Sequence, residues 1–192
     1  MSPRLRKALL WWLFVLTGGV AEKRSWKEVD QAPVHLFCDA AGDPARLAAV
    51  LWCDGKVFYT DCAPPDEIMQ NFARRADQQI MGLELLSIAL GMSTFTAQCS
   101  RRRVVVHSDN TGAEAATAKG TAKQFDHCHL VHEMWTHAVM HHMALWVVRV
   151  ATDVNIADAP SRFDYKALEA VGAVRVRPLL DGWCWASKTW TK

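Results

Sequence analysis

The chain has 192 residues, of which 51% are hydrophobic, and its formal net charge at pH 7 is +2. This length is enough to bury one good core, so we expect one main domain with short appendages. A charge so close to balance favours neither a nucleic-acid nor a membrane partner by itself, and any such function must be argued from a site.

The N-terminal stretch MSPRLRKALLWWLFVLTGGVAEK has two interpretations. Its basic start, its apolar run and the small residues that follow have the outline of a signal peptide. The apolar run is too short for a comfortable membrane span. The other interpretation is an amphipathic helix from Leu9 to Leu16 that ends at Gly18 and Gly19. The local sequence alone leaves both open.

Three strands are predicted next, and they should meander antiparallel. They are VHLFCDA (34–40), ARLAAVLWCDG (45–55) and KVFYTDC (56–62). Asp54 and Gly55, between the second and third strands, form the strongest short hairpin signal that a sequence offers.

Alternating helices and strands fill the rest of the chain. Helices are predicted over 71–95, 110–120 and 124–142, and Gly120 should end the second of them. Strands are predicted over 101–109 and 144–150. The segment 152–162 should place Asp158 in a short helical turn that Pro160 ends. Residues 163–192 are expected to form one more helix and an aromatic tail. The predicted fold class is α/β, a five-stranded mixed sheet flanked by helices.

Four carboxylates lie where the local pattern predicts burial. Asp39 and Asp109 end apolar strands, Glu84 interrupts an apolar helix, and Asp158 follows the last strand. A buried carboxylate costs several kcal/mol unless a partner compensates it. If the first and fourth strands are parallel neighbours, these acids converge, repel one another and need cations. Two Mg²⁺ or Mn²⁺ ions ~4 Å apart would suit these ligands and serve phosphodiester cleavage.

The alternative for each acid taken singly is a hydrogen-bonded structural carboxylate. Strand ends and helix caps commonly carry acids, so one aspartate at a strand end favours this interpretation. The four acids in this order favour the metal site.

These residues carry a resemblance to a known family. VHLFCDAAG, QQIMGLELLSIAL, VVVHSDNTGA and NIADAPSR resemble the ribonuclease H domain that follows reverse transcriptases in retrotransposon polyproteins, including the DIRS-like group. The leading RKALLWWLFVL resembles the connector that joins polymerase to ribonuclease H, which favours a helix over a signal peptide. The resemblance implies a connector helix and linker (1–29), a ribonuclease H-like catalytic domain (30–162) and a C-terminal helix with an aromatic tail (163–192).

The resemblance also implies a role for each acid. Asp39 matches the aspartate that bridges two metal ions, and Glu84 the helix glutamate that ligates one of them. Asp109 matches the aspartate near the attacking water, and Asp158 the late aspartate that completes the second metal's ligands. The implied reaction is hydrolysis of the RNA strand of an RNA–DNA hybrid, with two Mg²⁺ or Mn²⁺ ions as cofactors. The implied partners are the hybrid and a reverse transcriptase polymerase domain, with no membrane.

The sequence departs from the family in its substrate contacts. Many members carry a histidine shortly before the last aspartate, and VRVATDVNIAD has none. Lys119 and Lys123 are the best candidates for phosphate contact. Asn110 and Thr111 are candidates for sugar or phosphate contact, although capping the helix after Asp109 is equally natural. The arginines 101–103 are less convincing, since the strand places them ~20 Å from Asp109.

Two other functions stay open beside the nuclease. One is a catalytically silent ribonuclease H-like scaffold that binds partners through its tryptophan-rich ends. The other is a DNA-strand-transferring enzyme such as an integrase, in which the glutamate should follow the last strand. Glu84 precedes the fourth strand, which favours ribonuclease H.

Cysteines and histidines bear on compartment and on zinc. Six cysteines without a C-x-x-C pair indicate reduced thiols, and hence an intracellular protein of the cytoplasm or nucleus. Six of the eight histidines fall between His127 and His142. The zinc motif H-E-x-x-H is missed by one residue, so a polar helix face is the favoured interpretation.

Overall fold

The computed structural model describes residues 1–17, 31–73 and 79–180. The chain divides into two compact units, Met1–Ala32 and Pro33–Lys192. In the first unit, helix α1 spans Pro3–Thr17 and includes the helix predicted from Leu9 to Leu16. Gly18 and Gly19, where that helix was predicted to end, lie outside the described residues. In the part of the chain described, no helix is both long and apolar enough to cross a membrane.

A six-stranded mixed sheet forms the centre of the second unit. Its strands are β1 (Val34–Gly42), β2 (Ala45–Cys53), β3 (Lys56–Cys62), β4 (Arg103–Ser108), β5 (Ala144–Arg149) and β6 (Val174–Arg175). They lie in the order β5-β4-β1-β2-β3-β6. The predicted fold class, an α/β mixed sheet flanked by helices, is confirmed, but the strand count of five is wrong. The sixth strand has only two residues, too few to show a hydrophobic period.

The first three strands form the predicted antiparallel meander. Asp54 and Gly55 both have positive φ, 51° and 74°, as a two-residue hairpin turn requires. Arg102 binds the Asp54 carboxylate through both terminal nitrogens, at 2.6 and 2.8 Å. Within the run 101–103, Arg102 therefore stabilises the hairpin at the end of the sheet away from Asp39.

Helices cover the sheet on its faces. They are α2 (Asp66–Ala73), α3 (Ile80–Thr94), α4 (Thr96–Cys99), α5 (Thr111–Lys119), α6 (Phe125–Met140), α7 (Asp158–Ser161) and α8 (Lys166–Ala170), with a 3-10 turn at Thr152–Val154.

The single helix predicted over 71–95 is wrong, because residues 71–73 end α2 and α3 begins at Ile80. The prediction that Pro160 ends its turn is also wrong. Pro160 lies in the first turn of α7, where a missing N–H group costs no helical hydrogen bond.

Helix α3 is the central packing element, and residues 82–94 of it are all buried. It packs against β1 and β2 on one side and against α5 and α6 on the other. Gly91 allows the close approach to the sheet, since a Cβ atom there would lie 2.8 Å from Leu36 Cδ1 and 3.0 Å from Ala49 Cβ. This packing fixes the position of Glu84, two turns earlier in the same helix.

We therefore expect Gly91→Ala to lower the free energy of unfolding by ~1–3 kcal/mol, because overpacking exceeds the gain in helix propensity. Urea unfolding measures this difference. Gly42→Ala is the matched control, because a Cβ atom there meets nothing within 4 Å. A Gly91→Ala variant as stable as the wild type would contradict the close packing of α3 on the sheet.

Candidate metal centre

Parallel pairing of β1 and β4 brings Asp39 and Asp109 to one edge of the sheet. The register runs from Val34 opposite Val104 to Phe37 opposite His107. Asp39 lies two residues beyond Phe37, within β1. Asp109 lies two residues beyond His107, directly after β4. The two carboxylates therefore meet at the same level of the sheet, as the strand pattern predicts.

Glu84 completes a group of three acids. It lies in the second turn of α3, and both Glu84 and Asp39 are buried. Each of Asp39, Glu84 and Asp109 offers a carboxylate oxygen within 4.8 Å of the others. In the described residues, this is the one group of three or more His, Cys, Asp or Glu side chains with such spacing, and the histidines of α6 form none.

Burial and mutual repulsion change the acidity of two of these groups. Burial raises the pKa of Asp39 to about 6; a hydrogen bond from Ser161 lowers it, and the charges of Asp109 and Asp158 raise it. Burial also raises the pKa of Glu84 to about 9, with further increases from Asp39 and Asp109. The metal-free site therefore keeps a proton on Glu84 at neutral pH.

Two carboxylate oxygens at the site lack a hydrogen-bond partner. Asp39 Oδ2 and Glu84 Oε2 are both buried without one. Unsatisfied buried carboxylate oxygens are costly, and oxygen ligands of this kind are those that Mg²⁺ and Mn²⁺ prefer. The residues present therefore fit a hard divalent cation held by Asp39, Glu84 and Asp109.

Asp158 lies at the start of α7, which packs on β1 and β2. It is outside the group of three, because Arg162 holds it: Nε and Nη2 of Arg162 each lie 3.0 Å from Asp158 Oδ1. Its negative charge nevertheless raises the pKa of Asp39 and of Glu84. The structure thus places the fourth predicted acid beside the site, paired with an arginine.

Asn155 and Ser161 support the site and were not identified from the sequence. Asn155 is buried, and its Nδ2 donates to the Cys38 carbonyl at 3.1 Å and to Asp39 Oδ1 at 3.5 Å. Both residues lie within NIADAPSR, three residues before and three residues after Asp158, so polar residues one helical turn from the acid were the available signal. The Asn155 amide orients the Asp39 carboxylate, and the Ser161 hydroxyl donates to the Asp158 carbonyl at 2.7 Å.

The four predicted substrate-contact residues lie on and after α5. Asn110 caps this helix, since its Oδ1 accepts a hydrogen bond from the Ala113 N–H at 3.0 Å. Thr111 is exposed in the first turn, Lys119 is exposed in the last turn, and Lys123 is exposed before α6. Capping is thus the observed role of Asn110, and contact of these four residues with nucleic acid stays a prediction.

Comparisons with known proteins find similarity to solved structures. Neither a protein-family model nor a curated protein matches the chain. The chain is similar to the N-terminal RNase H domain of Rv2228c from Mycobacterium tuberculosis, solved as a fusion with maltose binding protein, at 15% identity and a TM-score of 0.47. The match covers 74% of this chain and 97% of that one.

The raised pKa of Glu84 predicts how stability depends on pH. Its folded pKa lies above the unfolded value, so the ionisation penalty is absent below about pH 4.5 and grows as pH rises toward 9. We expect Glu84→Gln to raise the free energy of unfolding of the metal-free protein by ~2–4 kcal/mol at about pH 8, and by much less at about pH 5. Urea unfolding with a chelator at both pH values measures this. An equal effect at both would contradict the buried, protonated glutamate.

The contacts of Asn155 predict a second effect. Asn155→Ala removes the amide that orients Asp39, so we expect the Mn²⁺ affinity of the site to fall ~10–100-fold. Titration calorimetry measures the affinity. The control is Asn110→Ala, which removes the cap of α5 but no contact to Asp39. Equal affinities for Asn155→Ala and wild type would contradict the supporting role.

Proposed function

We propose that the protein is a metal-dependent endonuclease that hydrolyses the RNA strand of RNA–DNA hybrids. The observation that carries this proposal is the convergence of Asp39, Glu84 and Asp109, with buried oxygens that have no partner. The RNA–DNA hybrid as substrate is supported by the sequence resemblance.

Two Mg²⁺ or Mn²⁺ ions are the proposed cofactors. Asp39, Glu84 and Asp109 would hold them, joined by Asp158 when its carboxylate leaves Arg162. Such ions supply an activated water and stabilise charge on the attacking and leaving oxygens of a phosphodiester. The reaction then needs no nucleophilic side chain and no covalent intermediate.

The chain's own residues prepare this site in three ways. Asn155 orients the carboxylate of Asp39. Glu84 holds a proton in the metal-free state and must lose it before it can act as a charged ligand. Arg162 neutralises Asp158 until a stronger cation competes for it.

The biological setting is also part of the proposal. The resemblance of the four motifs supports an origin in a retrotransposon polyprotein, with a reverse transcriptase polymerase domain as partner and α1 as the connector. An intracellular place, in cytoplasm or nucleus, would accompany that role.

A catalytically silent scaffold is the second candidate, and one observation favours it. Arg162 pairs with Asp158, so the fourth carboxylate already has a cation from the protein. In a scaffold this ion pair persists when divalent ions are added. In a nuclease the ion pair opens.

We expect the purified chain to cleave the RNA strand of a labelled hybrid in Mg²⁺ or Mn²⁺, and to leave duplex DNA intact. Asp39→Asn and Asp109→Asn should each reduce cleavage at least ~1,000-fold, equivalent to ~4 kcal/mol of barrier, with the fold retained. Gel analysis of the products and circular dichroism measure both.

Asp54→Asn is the matched control, because Asp54 lies in the hairpin at the opposite end of the sheet. Its cleavage rate should equal that of the wild type. Retained activity in both Asp39→Asn and Asp109→Asn would refute the site. A folded wild type that binds Mn²⁺ without cleaving hybrid would favour the scaffold.

A further inference from the structure

A second charged cluster lies on β3, built around Asp61. The Asp61 side chain has no solvent exposure. Its carboxylate accepts hydrogen bonds from Arg46 Nη2, from Arg175 Nη2 at 2.9 Å and from the Tyr165 hydroxyl at 3.0 Å. Two guanidinium groups against one carboxylate leave the cluster with one excess positive charge.

One guanidinium of the cluster, that of Arg175, faces outward, and the other, that of Arg46, lies against an exposed aromatic ring. The Arg175 side chain is 55% exposed, although one of its nitrogens is bound to Asp61. The guanidinium of Arg46 lies 4.0 Å from the ring centre of Phe163, and Phe163 is 51% exposed. The buried Nε atom of Arg46 has no hydrogen-bond partner.

Phe163 is held in an unusual backbone conformation. Its φ is +64°, a region that bulky side chains rarely adopt. The surrounding contacts therefore present this large apolar ring at the surface, where it stays half exposed. An aromatic face next to a fixed guanidinium is the combination that binds bases and phosphates of nucleic acid strands.

The cluster lies close to the acids. Asp39 pairs with Ala48 on β2, and Ala48 pairs with Asp61 on β3, so the three residues share one row and one face of the sheet. Two strand spacings separate Asp39 from Asp61 by ~10 Å. One or two nucleotides of a nucleic acid backbone span such a distance.

We propose that Arg175 and the Arg46–Phe163 stack bind the backbone of the substrate strand, one or two nucleotides from the phosphodiester at the acids. This inference rests on the proposed nuclease function. Arg175 contacts a phosphate through the nitrogens that Asp61 leaves available, and the Phe163 ring packs on an adjacent base or sugar. Asp61 orients both guanidiniums. One arginine, Arg46, is enough to balance the charge of Asp61, so Arg175 supplies the excess charge for the phosphate.

The test is binding of a labelled RNA–DNA hybrid, measured by fluorescence anisotropy at several salt concentrations in Mg²⁺. All variants carry Asp109→Asn, so that the hybrid stays intact. Arg175→Gln should weaken binding ~5–10-fold at low salt and reduce the slope of log affinity against log salt by about one. Phe163→Leu should weaken binding ~3–10-fold and leave the slope unchanged.

Arg101→Gln is the control, since Arg101 belongs to the most basic run of the sequence but precedes β4, at the end of the sheet away from Asp39. It should leave both affinity and slope unchanged. Melting temperatures of all variants separate loss of fold from loss of contact, and Phe163→Leu leaves the Asp61 hydrogen bonds in place.

The outcomes separate this inference from the proposed function. Wild-type affinity and slope in Arg175→Gln, or the same loss in Arg101→Gln, would overturn the inference. A folded protein that binds no hybrid at low salt would overturn it as well. If the chain without Asp109→Asn fails to cleave but the Arg175 effect appears, the nuclease proposal is refuted and the binding surface stands.

Discussion

Parallel pairing of β1 and β4 is the constraint on which the rest of the site depends. Both strands are buried and apolar, and their register brings Asp39 and Asp109 to the same level at one edge. Helix α3 then adds Glu84 from the side, because its close packing leaves it little freedom to move. Burial of the strands, which stabilises the fold, thus forces together charges that repel one another.

The two acidic clusters of the sheet resolve this repulsion in different ways. Asp61 is fully buried, and it is satisfied by Arg46 of the neighbouring strand and by Tyr165 and Arg175 from a distant part of the chain. Asp39 and Glu84 are buried without such cations, and their pKa values rise to about 6 and about 9. The protein's own arginines neutralise Asp61, whereas Asp39 and Glu84 are left to be neutralised by external cations. A metal-dependent enzyme needs this arrangement.

The sequence predicts most of the sheet because strand periods and the Asp-Gly hairpin are local signals. It also predicts Asp39 and Asp109 as site residues, because each of them ends an apolar strand. The order of the elements along the chain indicates that these two strands run in the same direction. The two-residue β6 shows no period, and two of the three partners of Asp61, Tyr165 and Arg175, lie more than 100 residues from it in the chain. The pairing of Asp158 with Arg162 likewise depends on a helical turn that includes Pro160. Local sequence rules instead predict that a proline ends such a turn.

Mn²⁺ titration calorimetry in buffers of different ionisation enthalpy tests the central claim most directly, because it counts the protons released on binding. At about pH 7.5 we expect saturable binding with release of about one proton, from Glu84, and loss of that release in Glu84→Gln. Binding without proton release, or no binding by the folded protein, would contradict a site that requires divalent cations for its buried carboxylates.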